Sequence, residues 1–265
     1  MFVKLGSGEV PGLDVRNGSG VTIVCGDRQF ENIRAILFDK DGTLAHSEPY
    51  LRHLAQRRAR LIDAQIPGVG EPLLMAFGVD EQGFNPAGLT AVGSRQENKI
   101  AAAAYIAETG RSWLEALEIV GKAFEEADQV MRNKAEETVV FPGVAEVFDD
   151  LRRSSLKLGI VSSDIRENIE KFLDFYHLRE YIQAIQGAEP QLTKPNPQVF
   201  GSACEQLEVP PQQALMVGDS PGDFSMARRA NAAGTIGISW GWSRSPNLNQ
   251  ADVIISKLDE IQVIS

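Results

Sequence analysis

Residues 36–44 read Ile36-Leu37-Phe38-Asp39-Lys40-Asp41-Gly42-Thr43-Leu44. An apolar run of strand type ends in two carboxylates two residues apart, and a Gly-Thr turn follows at once. In a strand, residues i and i+2 point to the same side. Asp39 and Asp41 are therefore expected to crowd together at the carboxyl end of a buried strand, where open α/β sheets place their ligands. Two like charges held there repel each other unless a cation or a shared proton compensates. The pattern predicts a metal-dependent site. Two plainer readings compete with it. A calcium loop of the helix–loop–helix kind needs further oxygen ligands and a Glu at its twelfth position. Counted from Asp39 that position is Tyr50, and the fifth and seventh are Thr43 and Ala45, so the calcium reading fails. A simple Asp-Gly turn stays open on these residues alone, and the rest of the chain has to decide.

The chain has 265 residues and a formal charge of −10. That length allows one large domain, or a core with an inserted subdomain. An acidic surface argues against nucleic acid and anionic membranes as partners. It leaves room for a small phosphorylated substrate, because a local cation can override the global field. Two cysteines, Cys25 and Cys204, lie far apart in no paired pattern, which predicts a reducing compartment and no disulfide framework. The first thirty residues lack the basic start and apolar stretch of a signal peptide, and no run approaches the roughly 18 apolar residues of a membrane span. A soluble, cytoplasmic protein is the expectation.

Working outward from the opening stretch, residues 1–20 are rich in Gly and polar residues and read as a loose arm. Val21–Cys25 reads as a strand, with Gly26-Asp27 as a hairpin turn into Arg28–Glu31. Ile33–Phe38 is a continuous apolar strand interrupted at Arg34. From Glu48 to about Asn133 the composition turns helical, predicting helices over 49–65, 71–78, 95–109 and 112–134 with a Gly- and Pro-bearing loop from Gly78 to Ser94. After Phe141-Pro142-Gly143 helices and strands alternate. Helices are predicted over 143–154, 165–175, 196–207 and 222–231, and strands at Leu156–Val161, near Ile182–Ile185, at Ala214–Val217, Thr235–Ile238 and near Val253–Ile255. Repeated β-then-α units imply an α/β fold, a doubly wound parallel sheet covered by helices on both faces. The first strand is separated from the rest by a long helical insert.

Further polar features fall at the carboxyl ends of these strands. Leu156–Val161 ends in Ser162-Ser163-Asp164, a later loop carries Thr193-Lys194-Pro195, and Ala214–Val217 ends in Gly218-Asp219-Ser220-Pro221-Gly222-Asp223. Each has an ordinary explanation alone: a helix N-cap, a solvated loop lysine, a turn. Their convergence in this order on one sheet argues for a site.

On these residues the chain closely resembles the haloacid dehalogenase superfamily, in its phosphatase branch, and is similar to phosphoglycolate-phosphatase-like members. The four family motifs map onto Asp39-Lys40-Asp41-Gly42-Thr43, Ser162, Lys194, and Gly218-Asp219 through Asp223. The segment Ser239-Trp240-Gly241-Trp242-Ser243 looks like the stretch after the fourth motif. The resemblance covers residues 33–46 and 141–265 as a Rossmann-like catalytic core and implies a helical cap over 47–140, leaving 1–32 as arm and hairpin. It implies a Mg²⁺-dependent phosphomonoester hydrolase of a small phosphorylated metabolite, with phosphoglycolate a candidate, working through an aspartyl-phosphate. Asp39 is then the nucleophile and Asp41 the general acid/base; Lys194 and Ser162 hold the transferring oxygens. Backbone N–H groups around Gly42, Thr43 and Ser163 can donate to the same oxygens. The cation's implied ligands are Asp39, the backbone carbonyl of Asp41, and Asp219, with Asp223 orienting a bound water or Lys194. Halide leaves without a proton, so the presence of Asp41 disfavours a dehalogenase. A sugar phosphomutase shares every one of these residues, and a phosphate-sensing or scaffold protein that has lost turnover is the non-enzymatic alternative; the complete set of acids, serine and lysine argues against the latter.

Specificity is expected from the cap. The loop Gly88–Arg95 is the candidate to reach inward, with Arg95 pairing a carboxylate or phosphate; Arg95 in the exposed first turn of a helix is the plainer alternative. His46 stands where many relatives carry an Asp, and it reads as a hinge residue because His53 and His177 show no ligand spacing with it. Trp240 and Trp242 alternate on one side of a strand-like segment and predict core packing over substrate stacking. The Val21–Glu31 hairpin is additional to the usual core and is expected to extend the sheet or to mediate self-association as a homo-oligomer.

Overall fold

A computed structural model describes residues 20–264 of the chain. The arm read over 1–20 lies, but for Gly20, outside the described residues. Strands β1 (Val21–Cys25), β2 (Arg28–Ile33) and β3 (Ala35–Phe38) lead into a short hinge strand, β4 (Ala45–His46). The insert follows: α1 (Glu48–Asp63), α2 (Gly70–Phe77), the hairpin β5 (Val79–Asp80) and β6 (Gly83–Phe84), the single turn α3 (Leu89–Val92), α4 (Arg95–Glu108), α5 (Trp113–Val130) and the short α6 (Lys134–Glu137). Strand β7 (Val139–Val140) returns antiparallel to β4. Then come α7 (Val144–Arg153), β8 (Lys157–Val161), α8 (Arg166–Phe175), β9 (Ala184–Gln186), α9 (Pro197–Leu207), β10 (Ala214–Gly218), α10 (Pro221–Arg229), β11 (Gly234–Ile238), β12 (Val253–Ile255) and β13 (Gln262–Ile264).

The main sheet is six-stranded and parallel throughout, in the order β12-β11-β10-β3-β8-β9. From β3 the chain moves outward to β8 and β9, then crosses back to β10 and proceeds the other way. The order therefore reverses between β3 and β10, and a crevice opens at the carboxyl ends of those two strands. Alternation along the buried strands feeds two separate cores. Ile36 and Phe38, with Leu215 and Val217, pack beneath α7 and α8 among Phe148, Phe172 and Leu173. Ala35 and Leu37, with Ala214 and Met216, pack against α9 and α10 among Val199, Phe200 and Met226. The insert has its own core of Ile62, Phe77, Ala102, Val120 and Phe124.

Several boundaries differ from the sequence expectation. The helix predicted over 112–134 stops at Val130, and a separate turn begins at Lys134. The 78–94 loop contains β5, β6 and α3. The strand expected near 182–185 begins at Ala184 after a 3-10 turn, Arg179–Tyr181. The N-terminal hairpin does not extend the parallel sheet. It forms a separate antiparallel sheet in the order β13-β1-β2, with the C-terminal strand β13 as a partner that sequence reading missed. Ile23, Cys25 and Ile33 of that hairpin are buried in the α7–α8 core, which anchors it to the domain. No helix among the described residues is long and apolar enough to cross a membrane.

Candidate active site

Phe38 pairs with Val217 across β3 and β10, and the Asp39 N–H continues the ladder to the Val217 carbonyl at 2.9 Å. Asp39 and Asp219 thus leave adjacent strands at the same level of the crevice. Asp223 joins them from the first turn of α10. That turn starts where it does because Ser220 is its N-cap, Pro221 occupies the first helical position, and the Ser220 N–H and Oγ both donate to Asp223 Oδ2 (3.1 and 2.7 Å). Asp39, Asp219 and Asp223 are 8, 4 and 0 % exposed, and one carboxylate oxygen from each lies within 4.8 Å of the others. Among the described residues one buried cation faces them: Lys194 Nζ stands 2.7 Å from Asp39 Oδ1 and 2.6 Å from Asp223 Oδ1.

Three buried carboxylates against one ammonium leave an excess of negative charge. Burial, with Asp223 and Asp41 adding to it against the pull of Lys194, pushes Asp39 up to about 6. Burial and the charges of Asp39 and Asp223 drive Asp219 well above the usual carboxylate range. Burial alone would lower Lys194, but Asp223 and Asp39 outweigh it and hold the ammonium firmly protonated. An all-oxygen, net-anionic donor set of this kind suits a hard divalent cation. The residues fit the metal that the sequence led us to expect.

Asp41 behaves differently from the strand-based expectation. Both acids lie beyond the end of β3, so the two-residue alternation of a strand does not govern where they point. Asp41 instead turns toward its own lysines. Lys40 Nζ donates to its Oδ1 at 2.5 Å, Ser47 Oγ donates to the same oxygen, and Lys134 Nζ lies 3.4 Å from Oδ2. Lys134 also bonds Asp164 Oδ2 at 2.6 Å, and Lys40 approaches that oxygen at 3.5 Å. Burial would raise Asp41, yet Lys134 and Lys40 overcome it and hold the carboxyl well below the usual range. The repulsion expected between Asp39 and Asp41 is relieved by giving each its own ammonium. The Asp41 carboxylate is not part of the three-acid cluster.

Gly42 sits at φ +81°, and a Cβ there would meet Trp242 Nε1 at 2.5 Å and Asp219 Oδ2 at 2.7 Å, so the turn admits only glycine. The N–H groups of Gly42 and Thr43 are engaged within the turn, with Ala45 O (2.9 Å) and Lys40 O (3.3 Å), so the backbone donors expected there already have acceptors. Thr43 takes part through its side chain, whose Oγ1 donates to Asp219 Oδ1 at 3.0 Å. Ser162 is buried and accepts from the Asp164 N–H at 3.1 Å. Ser163 Oγ donates to the Val92 carbonyl of the insert at 3.0 Å, tying core to insert.

Two cavities meet at Asp41. One, of about 360 Å³, is lined by Asp39, Asp41, Ser162, Lys194 and Asp219 together with Leu89, Ala91, Val92 and Gly93 of the insert. The other, of about 270 Å³, lies beyond Asp41 and carries Arg58, Arg95, Arg132, Lys134 and Lys171 against Asp41, Asp128 and Asp164. Arg95 occupies the first position of α4 and also lines this second cavity, where Asp128 takes Arg95 Nε at 2.7 Å and Arg58 Nη2 at 2.9 Å. The 88–95 loop does reach inward. His46 is exposed in the hinge ribbon, paired with Val139.

Sequence reading missed Lys40, Lys134, Arg58 and Asp128. Lys40 was visible between the two acids. The other three come from the insert, where nothing in the pattern separates a lining residue from a solvated one. For Trp240 and Trp242 the sequence predicts core packing. They are packed, but Trp240 Nε1 also donates to Thr43 O (3.0 Å) and Trp242 Nε1 to Asp219 Oδ2 (2.5 Å).

The sequence profile of the haloacid dehalogenase-like hydrolases matches residues 33–231. Phosphoglycolate phosphatase of Escherichia coli K12 is 29% identical over 245 residues, covering 88% of this chain and 92% of that protein. The Salmonella typhimurium phosphoglycolate phosphatase is 26% identical over 253 residues with the same coverage. Among solved structures, a haloacid dehalogenase-like hydrolase of Bacteroides fragilis superposes with a TM-score of 0.65 at 22% identity, covering 85% of this chain and 98% of that one. A HAD phosphatase of Thermococcus onnurineus gives 0.58 at 22% identity, covering 86% and 95%. The shared fold, the profile match over most of the chain and the acids at the sheet's reversal agree: the chain belongs to the haloacid dehalogenase-like hydrolases, and within them its similarity is to phosphatases.

Proposed function

We propose that this protein is a Mg²⁺-dependent phosphomonoesterase that works through an aspartyl-phosphate on Asp39 and acts on a small phosphorylated acid such as phosphoglycolate. The observation that carries the reading is the meeting of Asp39, Asp219 and Lys194 in the crevice between β3 and β10. Phosphate esters resist hydrolysis because their oxygens repel an anionic attacker. A divalent cation at the Asp39–Asp219–Asp223 cluster supplies the charge neutralisation that lets one anion approach another.

In the first step an Asp39 oxygen attacks phosphorus, the ester P–O bond breaks, and its electron pair leaves on the alkoxide, which takes a proton from Asp41. In the second step Asp41 takes a proton from water as the water oxygen attacks phosphorus. The bond to Asp39 breaks, releasing inorganic phosphate and restoring the carboxylate. Lys40 and Lys134 hold Asp41 ionised in the free protein, the form the second step uses, so the proton it gives in the first step enters with the monoanionic phosphoryl group of the substrate, and the proton it takes from water in the second leaves with the product phosphate. Lys194 and the Ser162 hydroxyl stabilise charge on the transferring oxygens. The insert covers this chemistry and excludes bulk water.

The choice of an acidic leaving group is supported by the second cavity. Five cationic side chains face three carboxylates there, in a chain of net charge −10, directly beyond the residue assigned to protonate the leaving oxygen. A carboxylate a few atoms from the ester oxygen would meet Arg95 and Lys134. The relatives named phosphoglycolate phosphatase support the same choice. A panel of phosphorylated metabolites, assayed for free phosphate with Mg²⁺ and again with EDTA, tests the reading. Phosphate release that EDTA abolishes, strongest for substrates with a second anionic group, is the expected result. Isomerised sugar phosphate without free phosphate would mark a phosphomutase instead, and no turnover of any ester would overturn the proposal.

A further inference from the structure

The segment after β11 touches three things at once. Trp242 Nε1 donates to Asp219 Oδ2 at 2.5 Å, and its ring stacks on Phe84 of the insert with centroids 5.6 Å apart and planes 22° from parallel. Its neighbour Ser243 donates to Glu48, the first residue of α1, through both N–H and Oγ at 2.6 Å each. Arg244 pairs with Asp80 of β5 at 2.8 Å. On the other side Trp240 Nε1 holds Thr43 O at 3.0 Å, and Gly241 lies so close to Gly42 that a Cβ would clash with the Gly42 carbonyl. The indole of Trp242 is thus shared between a carboxylate of the cation cluster and the aromatic surface of the cap.

We infer that Trp242 is a positioning residue that orients Asp219 for the divalent cation and couples cation binding to docking of the cap through Phe84. The inference rests on the cation cluster of the proposed function. Asp219 has two fixed donors: Thr43 on Oδ1 and Trp242 on Oδ2. Together they set the plane of the carboxylate, one oxygen of which lies within 4.8 Å of an oxygen of Asp39. A carboxylate ligand held in this way loses cation affinity when an outer partner is removed, by about 10–100-fold. The ring that supplies the bond is also half of a core–cap stack. Lifting the cap draws the indole from Asp219, so cap position and cation affinity are linked, and the linkage acts in both directions.

The test uses the full-length protein with its tryptophan indoles labelled with ¹⁵N, titrated with Mg²⁺ in the absence of substrate. The Trp242 indole N–H resonance, identified by its loss in Trp242→Phe, is expected to shift as the cation binds while that of Trp113 stays in place. Calorimetry should show the Mg²⁺ dissociation constant of Trp242→Phe raised at least about tenfold, with the substrate KM at saturating Mg²⁺ within about twofold of the parent. Phe84→Leu keeps the indole bond and removes the stack, and it should weaken Mg²⁺ by about threefold, the worth of a modest aromatic pair. An unmoved Trp242 resonance at saturating Mg²⁺, or undiminished binding by a folded Trp242→Phe, would overturn the inference while leaving the cation cluster standing. Absence of Mg²⁺ binding by the parent protein would overturn both. If the variant does not fold, the indole resonance that shows a nuclear Overhauser effect to the Phe84 ring in the parent protein identifies Trp242 and decides.

Discussion

Lys134, carried by the insert, lies 3.4 Å from Asp41 and 2.6 Å from Asp164, so the covering element contributes a cation to the acid pair of the core. With Lys40 the four groups make a largely buried set of two carboxylates and two ammoniums. Removing one cation leaves a buried charge uncompensated. Lys134→Met is expected to lower the unfolding free energy by about 3–5 kcal/mol near neutral pH. Asp41 and Asp164 both lie below their ordinary values, so the stability they contribute is present above the unfolded value and lost as pH falls. The gap between variant and parent should therefore shrink in acid. Urea unfolding at two pH values measures it, and a gap that widens in acid would contradict the assignment.

Asp39 and Asp219 titrate in the opposite sense. Asp39 rises from 3.8 to about 6, so between those values the folded protein keeps a proton that the unfolded chain has released. Without divalent cation, its contribution is complete at low pH and is lost as pH rises through that window. A cation competes with the same proton, so the thermal shift given by Mg²⁺ should be larger at about pH 7.5 than at about pH 5. Differential scanning at both values checks this; a larger shift at the acid value would count against the cluster as the cation site.

Asp41→Asn should slow first-turnover release of the alcohol far more for an alkyl phosphate than for p-nitrophenyl phosphate, whose leaving group scarcely needs a proton. Rapid-quench rates of that first turnover decide, because the water attack that follows is common to both esters, and equal losses there would remove the acid role from Asp41.

Arg95 bridges Asp128 with both side chains partly exposed, and Asp128 keeps Arg58 when Arg95 is lost, so its loss should leave the fold intact. Arg95→Met is expected to raise KM for phosphoglycolate about tenfold, equivalent to about 1.4 kcal/mol, with p-nitrophenyl phosphate unaffected. A parallel rise for both substrates would show that Arg95 does not meet the second anionic group.

The parallel sheet was legible because its strands are near-continuous apolar runs bounded by Gly, Ser and Asp, and because each ends in a polar residue with chemistry to offer. Asp39, Asp219, Asp223 and Lys194 could be named from that pattern, and the structure brings them together. What could not be read was partnership. Lys134 reaches the site only because the helix that sequence extends to it stops at Val130, and helix ends are set by tertiary packing more than by propensity. Trp242 carried the right signal for burial and concealed a donor, since one indole both packs and hydrogen-bonds. The C-terminal strand β13 pairs with the N-terminal hairpin, and the short run Gln262–Ile264 offers no alternation long enough to announce it.

The proposed mechanism rests on phosphorylation of Asp39 beside the cation cluster. It is tested most directly by acid-quenching Asp41→Asn protein shortly after adding p-nitrophenyl phosphate and Mg²⁺, then locating any phosphoryl group by peptide mass spectrometry. The second step lacks its base in that variant while the first still proceeds, so one phosphoryl group should accumulate on Asp39 and be absent when EDTA is present. A phosphoryl group on another residue, or undiminished phosphate release from Asp39→Asn, would contradict the account.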